Sequence, residues 1–263
     1  MGFSRDFLQV LSRLTASTHA AYLLPHLRPG LRVLDFGCGP GTISVGLAEA
    51  IAPGVLHGID MEETQISLAK ATAKARGRRN AVYQVGDVTA LPFEDEFFDV
   101  AHCHNVLMHV PDTRAALTEV KRVLKPGGII GCREMICESS FINPDFGILG
   151  EAWRIFMDLL EADDGHAQMG KDIKAHLIDT GFANLQITAS FTTYSTPEEV
   201  FFGHRIANRW LLSREITEAA IKYGAATQTL WDDIQIGFDE WKKHPGAFAG
   251  IAYGEAVANK PQS

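Results

Sequence analysis

"LRVLDFGCGPGT", residues 31–42, sets a largely apolar run directly ahead of an acid and three glycines. The run reads as a strand and the following "TISVGLAEAI" as a helix, so Gly37, Gly39 and Gly41 fall in the turn between them. In an open α/β sheet that turn lies at the carboxyl ends of the strands, where ligands sit, and glycines let backbone and ligand come close. The spacing is G-x-G-x-G, whereas the dinucleotide fingerprint runs G-x-G-x-x-G. Asp35 ends the strand, and a carboxylate beside the loop suits a cationic ligand better than a pyrophosphate.

Around this turn, strand-like and helix-like runs alternate from Leu31 to Met135, the pattern of a parallel sheet covered by helices on both faces. "VLHGID", "AVYQVGD", "FFDVAHCHN" and "GIIGCREM" read as strands two to five, and "ETQISLAKATAKARG" and "DTRAALTEVKRVLK" as helices between them. In the last helix Leu117, Val120, Val123 and Leu124 share a face, and the pattern stops at "KPGG". Ahead of the sheet, "FLQVLSRLTASTHAAYLLPHL" predicts one or two amphipathic helices. Behind it come a loop-rich "CESSFINPDFGILG", a helix over "KDIKAHLIDTGF" and a sixth strand over "ANLQITASFTTYS". Residues from Pro197 to about Lys243 read as helical, and "AFAGIAYGEAVANK" as a seventh strand, with a terminal helix as its alternative. This organisation predicts one domain over 1–263: a helical cover over 1–30, a ligand-binding core over 31–135, and further elements over 136–263 with a helical insertion over 197–243.

The 263 residues carry a net charge of -8, which argues against a nucleic-acid partner, because phosphate binding needs a basic footprint. Arg76, Arg78 and Arg79 read as a solvated helix end. Cys38, Cys103, Cys132 and Cys137 show neither C-x-x-C nor zinc-ligand spacing, so the sequence predicts no metal site and reduced thiols in a cytoplasmic protein. No apolar run approaches the roughly 20 residues that span a bilayer, and the first residues do not resemble a signal peptide.

"VLDFGCGPGT" resembles motif I of the class I S-adenosylmethionine-dependent methyltransferases, and the family's further motifs come after it in order. "GID" resembles the second-strand motif, "GDVTALPF" the "GDAxxLPF" segment, and "FDVAHCHNVLMHVPD" and "RVLKPGG" the fourth-strand motif and the one before strand five. The last two are similar to the branch that includes ubiquinone- and menaquinone-type and many other small-molecule methyltransferases. The resemblance covers 21–135 closely and implies a doubly wound, Rossmann-like, seven-stranded and mostly parallel sheet. It implies S-adenosylmethionine as cofactor and S-adenosylhomocysteine as product. The implied cofactor residues are Asp35, Gly37, Cys38, Gly39 and Gly41 in the loop, Asp60 on the ribose hydroxyls, Met61 on the adenine ring, and Gly86, Asp87 and Val88 at the adenine edge, with His104 contributing its backbone carbonyl to the methionine ammonium.

Transfer to an alcohol, phenol or carbon acid needs a base, and a histidine near neutral pKa is apt. His109 in "VLMHVPD" stands where related enzymes often carry a histidine; its plainer role is capping or packing at a helix start. His104 and Glu134 end strands four and five and are further catalytic candidates, with an ion pair to Arg133 as the plainer role of Glu134. Tyr22, with His19, is a candidate to close over the cofactor. Phe201, Phe202, Trp210 and Leu211 give the insertion an apolar face, which in this branch roofs the acceptor pocket and implies a hydrophobic or partly aromatic acceptor. The charges of "DEWKK" read as a solvated helix end. The function expected is methyl transfer to O, N or C of a small organic acceptor. The alternatives are a non-methyl reaction on the same cofactor-binding fold and, disfavoured by the glycine spacing, a nicotinamide-dependent oxidoreductase.

Overall fold

A computed structural model of the chain describes residues 13–262. These divide into two compact units, a larger one of residues 13–134, 169–189 and 254–262, and a smaller one of 135–168 and 190–253.

In the larger unit the expected alternation is present. The strands are β1 (Arg32–Phe36), β2 (Val55–Asp60), β3 (Ala81–Val85), β4 (Phe98–His104) and β5 (Leu124–Met135). They are hydrogen-bonded in the order β3-β2-β1-β4-β5, and β1 to β5 pair in parallel with Asp35 opposite both Gly58 and His102. The carboxyl ends of β1, β2 and β4 therefore lie side by side. After a four-residue α1 (Ala16–His19) come α2 (Ser44–Ile51), α3 (Glu63–Ala75) and α4 (Thr113–Val123), and later α6 (Met169–Asp179). The Asp112 carboxylate caps α4 by accepting from the Ala115 amide at 2.8 Å, and Leu117, Val120 and Val123 are buried as their spacing predicts. Leu124 already belongs to β5, because the helix must stop short of Pro126. Leu23, Val33, Leu47, Ile51, Leu56 and Val100 pack in one apolar core.

Two further strands, β7 (Ala183–Tyr194) and β8 (Phe248–Asn259), match the expected sixth and seventh; β8 neighbours β5 and pairs with β7. The last segment is thus a strand and not a helix, although alanine-rich, because tertiary pairing overrides propensity: the Gly127 amide donates to the Lys260 carbonyl at 2.9 Å, and the Lys260 amide to the Gly128 carbonyl at 2.8 Å. Of the N-terminal segment expected to be helical, residues 7–12 lie outside the described residues, and the described part forms α1 and a 3₁₀ turn over Leu24–His26.

The smaller unit holds two elements absent from the sequence reading. The loop-rich segment contains a short β6 (Phe141–Asn143), antiparallel to the start of β8, and leads into α5 (Leu149–Ala162). α5 buries Leu149, Ala152, Ile155, Phe156 and Leu160, an i, i+3, i+4 pattern. The helical segment is α7 (Pro197–Ile206), continued by a π-turn over Ala207–Leu211, then α8 (Arg214–Lys222) and α9 (Gln228–Trp241). α7 starts with a capping box between Thr196 and Glu199. In "DEWKK" Asp239 pairs with Lys242 at 2.7 Å and Lys243 with Glu240 at 2.9 Å, but Trp241 is buried, its indole donating to the Asn143 carbonyl at 2.9 Å.

Candidate functional site

The three glycines of the loop have different tasks. All take left-handed backbone, with φ of 65°, 52° and 72° at Gly37, Gly39 and Gly41. A Cβ at Gly37 would sit 2.3 Å from a Val106 methyl carbon, and one at Gly41 would press on Ala69 at 3.0 Å, so these two are glycine because protein packs against them. A Cβ at Gly39 would meet nothing within 4 Å. Gly39 thus opens a space beside bare backbone, a cradle that fits a cofactor. Between them Cys38 is held by its amide on the Ile59 carbonyl at 2.9 Å, and burial raises its thiol pKa well above the usual range, which keeps it a neutral packing group.

The acids also differ. Asp35 is only 3% exposed; its Oδ2 accepts from Ser44 Oγ at 2.5 Å and its Oδ1 lies 2.7 Å from His102 Nδ1. The acid expected to face a ligand is thus engaged beneath the loop, in a hydrogen-bonded chain whose other members, Ser44 and His102, sequence reasoning misses. The available signal is a histidine in an otherwise apolar stretch of β4. Asp60 is half-buried at the end of β2, accepting from the Gly39 amide at 2.9 Å and the Glu62 amide at 3.0 Å, and burial raises its pKa. Each oxygen retains a lone pair suited to a hydroxyl. Met61 beside it is 70% exposed, a large apolar side chain held at the surface. Gly86 donates to the Asp60 carbonyl at 3.1 Å, Asp87 is exposed and accepts from the amide and hydroxyl of Thr89, both at 2.8 Å, and Val88 is buried. The Gly39 amide on the Asp60 carboxylate and the Gly86 amide on the Asp60 carbonyl therefore tie together three of the predicted cofactor residues.

At the ends of β4 and β5 the candidates separate. The His104 ring meets His19 edge-on at 5.2 Å, and burial with the nearby Arg133 charge holds its pKa well below the usual range, while His19 is lowered to about 4. Both rings are neutral near pH 7. Arg133 pairs with Glu255 at 3.0 Å and not with Glu134. The Tyr22 hydroxyl belongs to the same group: it is buried with no hydrogen-bond partner among the described residues, and burial raises its pKa. Asn105, next after His104, has φ of 54°, a conformation that a non-glycine residue adopts at a cost.

Glu134 is fully buried. Its Oε1 accepts from the amides of Val106 and Leu107, both at 3.0 Å, and its Oε2 from Met108 at 3.3 Å. This corrects the expectation that Glu134 orients a substrate group: its carboxyl is occupied by backbone, and the role it can perform is to hold the 3₁₀ turn over Leu107–His109. His109 ends that turn and is exposed.

The smaller unit contains a cavity of about 520 Å³, within the range of small-molecule sites. Its wall is mostly aromatic and aliphatic, with Trp153, Trp210, Trp241, Phe238, Met157 and Leu149 prominent. Of the residues expected to roof the acceptor, Trp210 and Leu211 line it. Phe201 is 56% exposed and Phe202 lies outside the wall: Gly203, Ile206, Ala207, Trp210 and Leu211 line the cavity at i, i+3, i+4, i+7 and i+8, one helical face, and Phe201, nine positions before Trp210, falls on the opposite side. Among the described residues no group of three or more His, Cys, Asp or Glu gathers as a metal site, and no helix is long and apolar enough to cross a membrane.

Comparison with known proteins gives this geometry a family. Residues 27–180 match the family model described as a methyltransferase domain. The chain is 37% identical over 261 residues to an uncharacterised methyltransferase of Schizosaccharomyces pombe, covering 94% of this chain and 91% of that one. It is 31% identical over 179 residues to the demethylmenaquinone methyltransferase of Staphylococcus aureus, covering 63% of this chain and 73% of that one. The crystal structure of the YcgJ protein of a Bacillus superposes with a TM-score of 0.62 at 18% identity, over 94% of this chain and all of the other, a likeness of fold. The glycine loop, the acids tied to it and these relatives together identify the chain as a member of the methyltransferase-domain family, an S-adenosylmethionine-dependent enzyme.

Proposed function

We propose that the larger unit holds S-adenosylmethionine and that the smaller unit holds a hydrophobic, partly aromatic organic acceptor in its cavity, within a cytoplasmic protein. The observation that carries the acceptor reading is the aromatic wall around about 520 Å³. Bound at the loop, the cofactor supplies an electrophilic methyl on a sulfonium, with a neutral thioether as leaving group. The protein's own task is then to position and to manage a proton. Asp60 accepts from the ribose hydroxyls, Met61 covers the adenine ring, and Asp87 and the Val88 amide bind its edge. The open backbone at Gly39 admits the cofactor, and the His104 carbonyl receives the methionine ammonium. Tyr22 closes over this group, and its unpartnered hydroxyl supports that role. His109, exposed at the end of its turn, takes the proton that the acceptor's oxygen, nitrogen or carbon loses, and Glu134 positions it by fixing the turn.

The experiment is incubation with S-adenosylmethionine and a panel of hydrophobic alcohols, phenols and amines. S-Adenosylhomocysteine forming one-for-one with a methylated acceptor supports the reading. Slower turnover in His109→Ala with unchanged cofactor affinity supports the base, and wild-type turnover across the pH range removes it.

A further inference from the structure

Few side-chain hydrogen-bond donors line the cavity of the smaller unit beyond the Tyr194 hydroxyl and the Trp210 indole. Two of its three indoles have their N–H groups committed to backbone: Trp153 Nε1 donates to the Cys137 carbonyl at 2.6 Å, and Trp241 Nε1 to the Asn143 carbonyl at 2.9 Å. These rings therefore offer the cavity π faces and carbon edges. The Ser140 hydroxyl donates to the Ile136 carbonyl at 3.2 Å and accepts from the Ala252 amide at 3.1 Å, so it is engaged in both senses. Burial pushes the Cys137 thiol up to about 12, and it stays neutral. No lysine, arginine or histidine lines the cavity among the described residues, whereas two acids, Glu138 and Asp145, do so with exposed side chains. The Asp145 carboxylate accepts from the Gly150 amide at 2.5 Å, which fixes it at the start of α5.

A ligand anion entering such a wall would lose its water without meeting a counter-charge, and would be repelled by two carboxylates. A cation meets the opposite conditions, because indole faces attract positive charge and the acids add to it. A hydroxyl or ammonium can donate to the carboxylates, whereas a carboxylate or phosphate finds few donors.

We infer that the cavity selects a hydrophobic amine or alcohol and rejects carboxylates and phosphate esters of the same body. This rests on the reading of the cavity as the acceptor site, and it narrows the acceptor to a class that the methyltransferase motifs do not specify.

The test uses three probes with one aromatic body, 1-pyrenemethylamine, 1-pyrenemethanol and 1-pyrenecarboxylate, titrated into the full chain near neutral pH. Three of the four tryptophans line the cavity, so energy transfer from tryptophan to pyrene reports occupancy there. The amine and the alcohol are expected to bind, and the carboxylate at least about tenfold more weakly, the scale of one lost cation–π or charge contact. In the double variant Glu138→Gln/Asp145→Asn, whose asparagine can still cap α5, the ratio between amine and carboxylate is expected to fall several-fold, the indole faces and the scarcity of donors keeping the remainder. Equal or tighter binding of the carboxylate overturns the inference, as does an unchanged ratio in the double variant. Failure of all three probes to bind removes the cavity as a site. Calorimetry with S-adenosylmethionine on the same sample tests the methyl-transfer reading separately, so the two failures are distinguishable.

Discussion

Asp60 accepts a hydrogen bond from the Gly39 amide at 2.9 Å, so the acid that ends β2 holds the glycine whose missing side chain leaves space open beside the loop. One carboxylate thereby fixes the loop backbone and retains lone pairs for a ligand. Asp60→Ala is expected to weaken S-adenosylmethionine binding by about 1–3 kcal/mol, the scale of lost hydrogen bonds to a charged group. Titration calorimetry on the folded variant checks this, and an unchanged dissociation constant contradicts the ribose assignment.

The loop glycines separate packing from binding. Gly37→Ala forces a Cβ to 2.3 Å from a Val106 methyl carbon as well as into left-handed backbone, so thermal unfolding is expected to show a loss of about 2–4 kcal/mol. Gly39→Ala carries only the backbone cost of about 1–2 kcal/mol and is expected to fold, but to bind cofactor poorly because its methyl fills the cradle. Tight cofactor binding by a folded Gly39→Ala protein contradicts the assignment of that space.

The parallel core is legible in the sequence because its strands, caps and glycine turn are local signals that agree with the global fold, as the Asp112 cap and the buried Leu117, Val120 and Val123 illustrate. α5 escapes such a reading, although Leu149, Ile155 and Phe156 carry a helical period, because it directly follows a Pro-, Asn- and Gly-rich stretch that reads as loop. Phe201 and Trp210 look alike as apolar residues, but nine positions set them on opposite sides of a helix, and only tertiary packing decides that the Trp210 side faces the cavity. The roles of Asp35 and Glu134 depend on partners 67 and 28 residues away, His102 and Val106, which no local pattern supplies.

Glu134 gives a pH signature. Burial moves its pKa from 4.5 up to about 7, against the pull of three backbone amides. The folded chain then binds this proton more tightly than the unfolded chain, so between those two values the folded state carries more protons and stability falls as pH rises. The fall is at most about 1.4 kcal/mol per pH unit. Denaturant unfolding of the wild type and Glu134→Gln at several pH values checks this: the variant is expected to lose that slope, and an identical slope in both contradicts it.

Acceptor recognition has its own pair of variants. Trp210→Ala removes cavity wall and is expected to raise the acceptor KM by about tenfold, with cofactor affinity unchanged. Phe201→Ala, at an exposed position outside the wall, is expected to alter neither. Steady-state kinetics with an acceptor found in the panel decides between them, and a larger effect from Phe201→Ala contradicts the cavity as the acceptor site.

Cofactor identity is decided by calorimetric titration of the purified chain with S-adenosylmethionine, S-adenosylhomocysteine and NADH. Saturable one-to-one binding of the first two, with no heat from the third, is the predicted result. Binding of NADH alone would contradict the reading of the Gly37-x-Gly39-x-Gly41 loop as a sulfonium cofactor site.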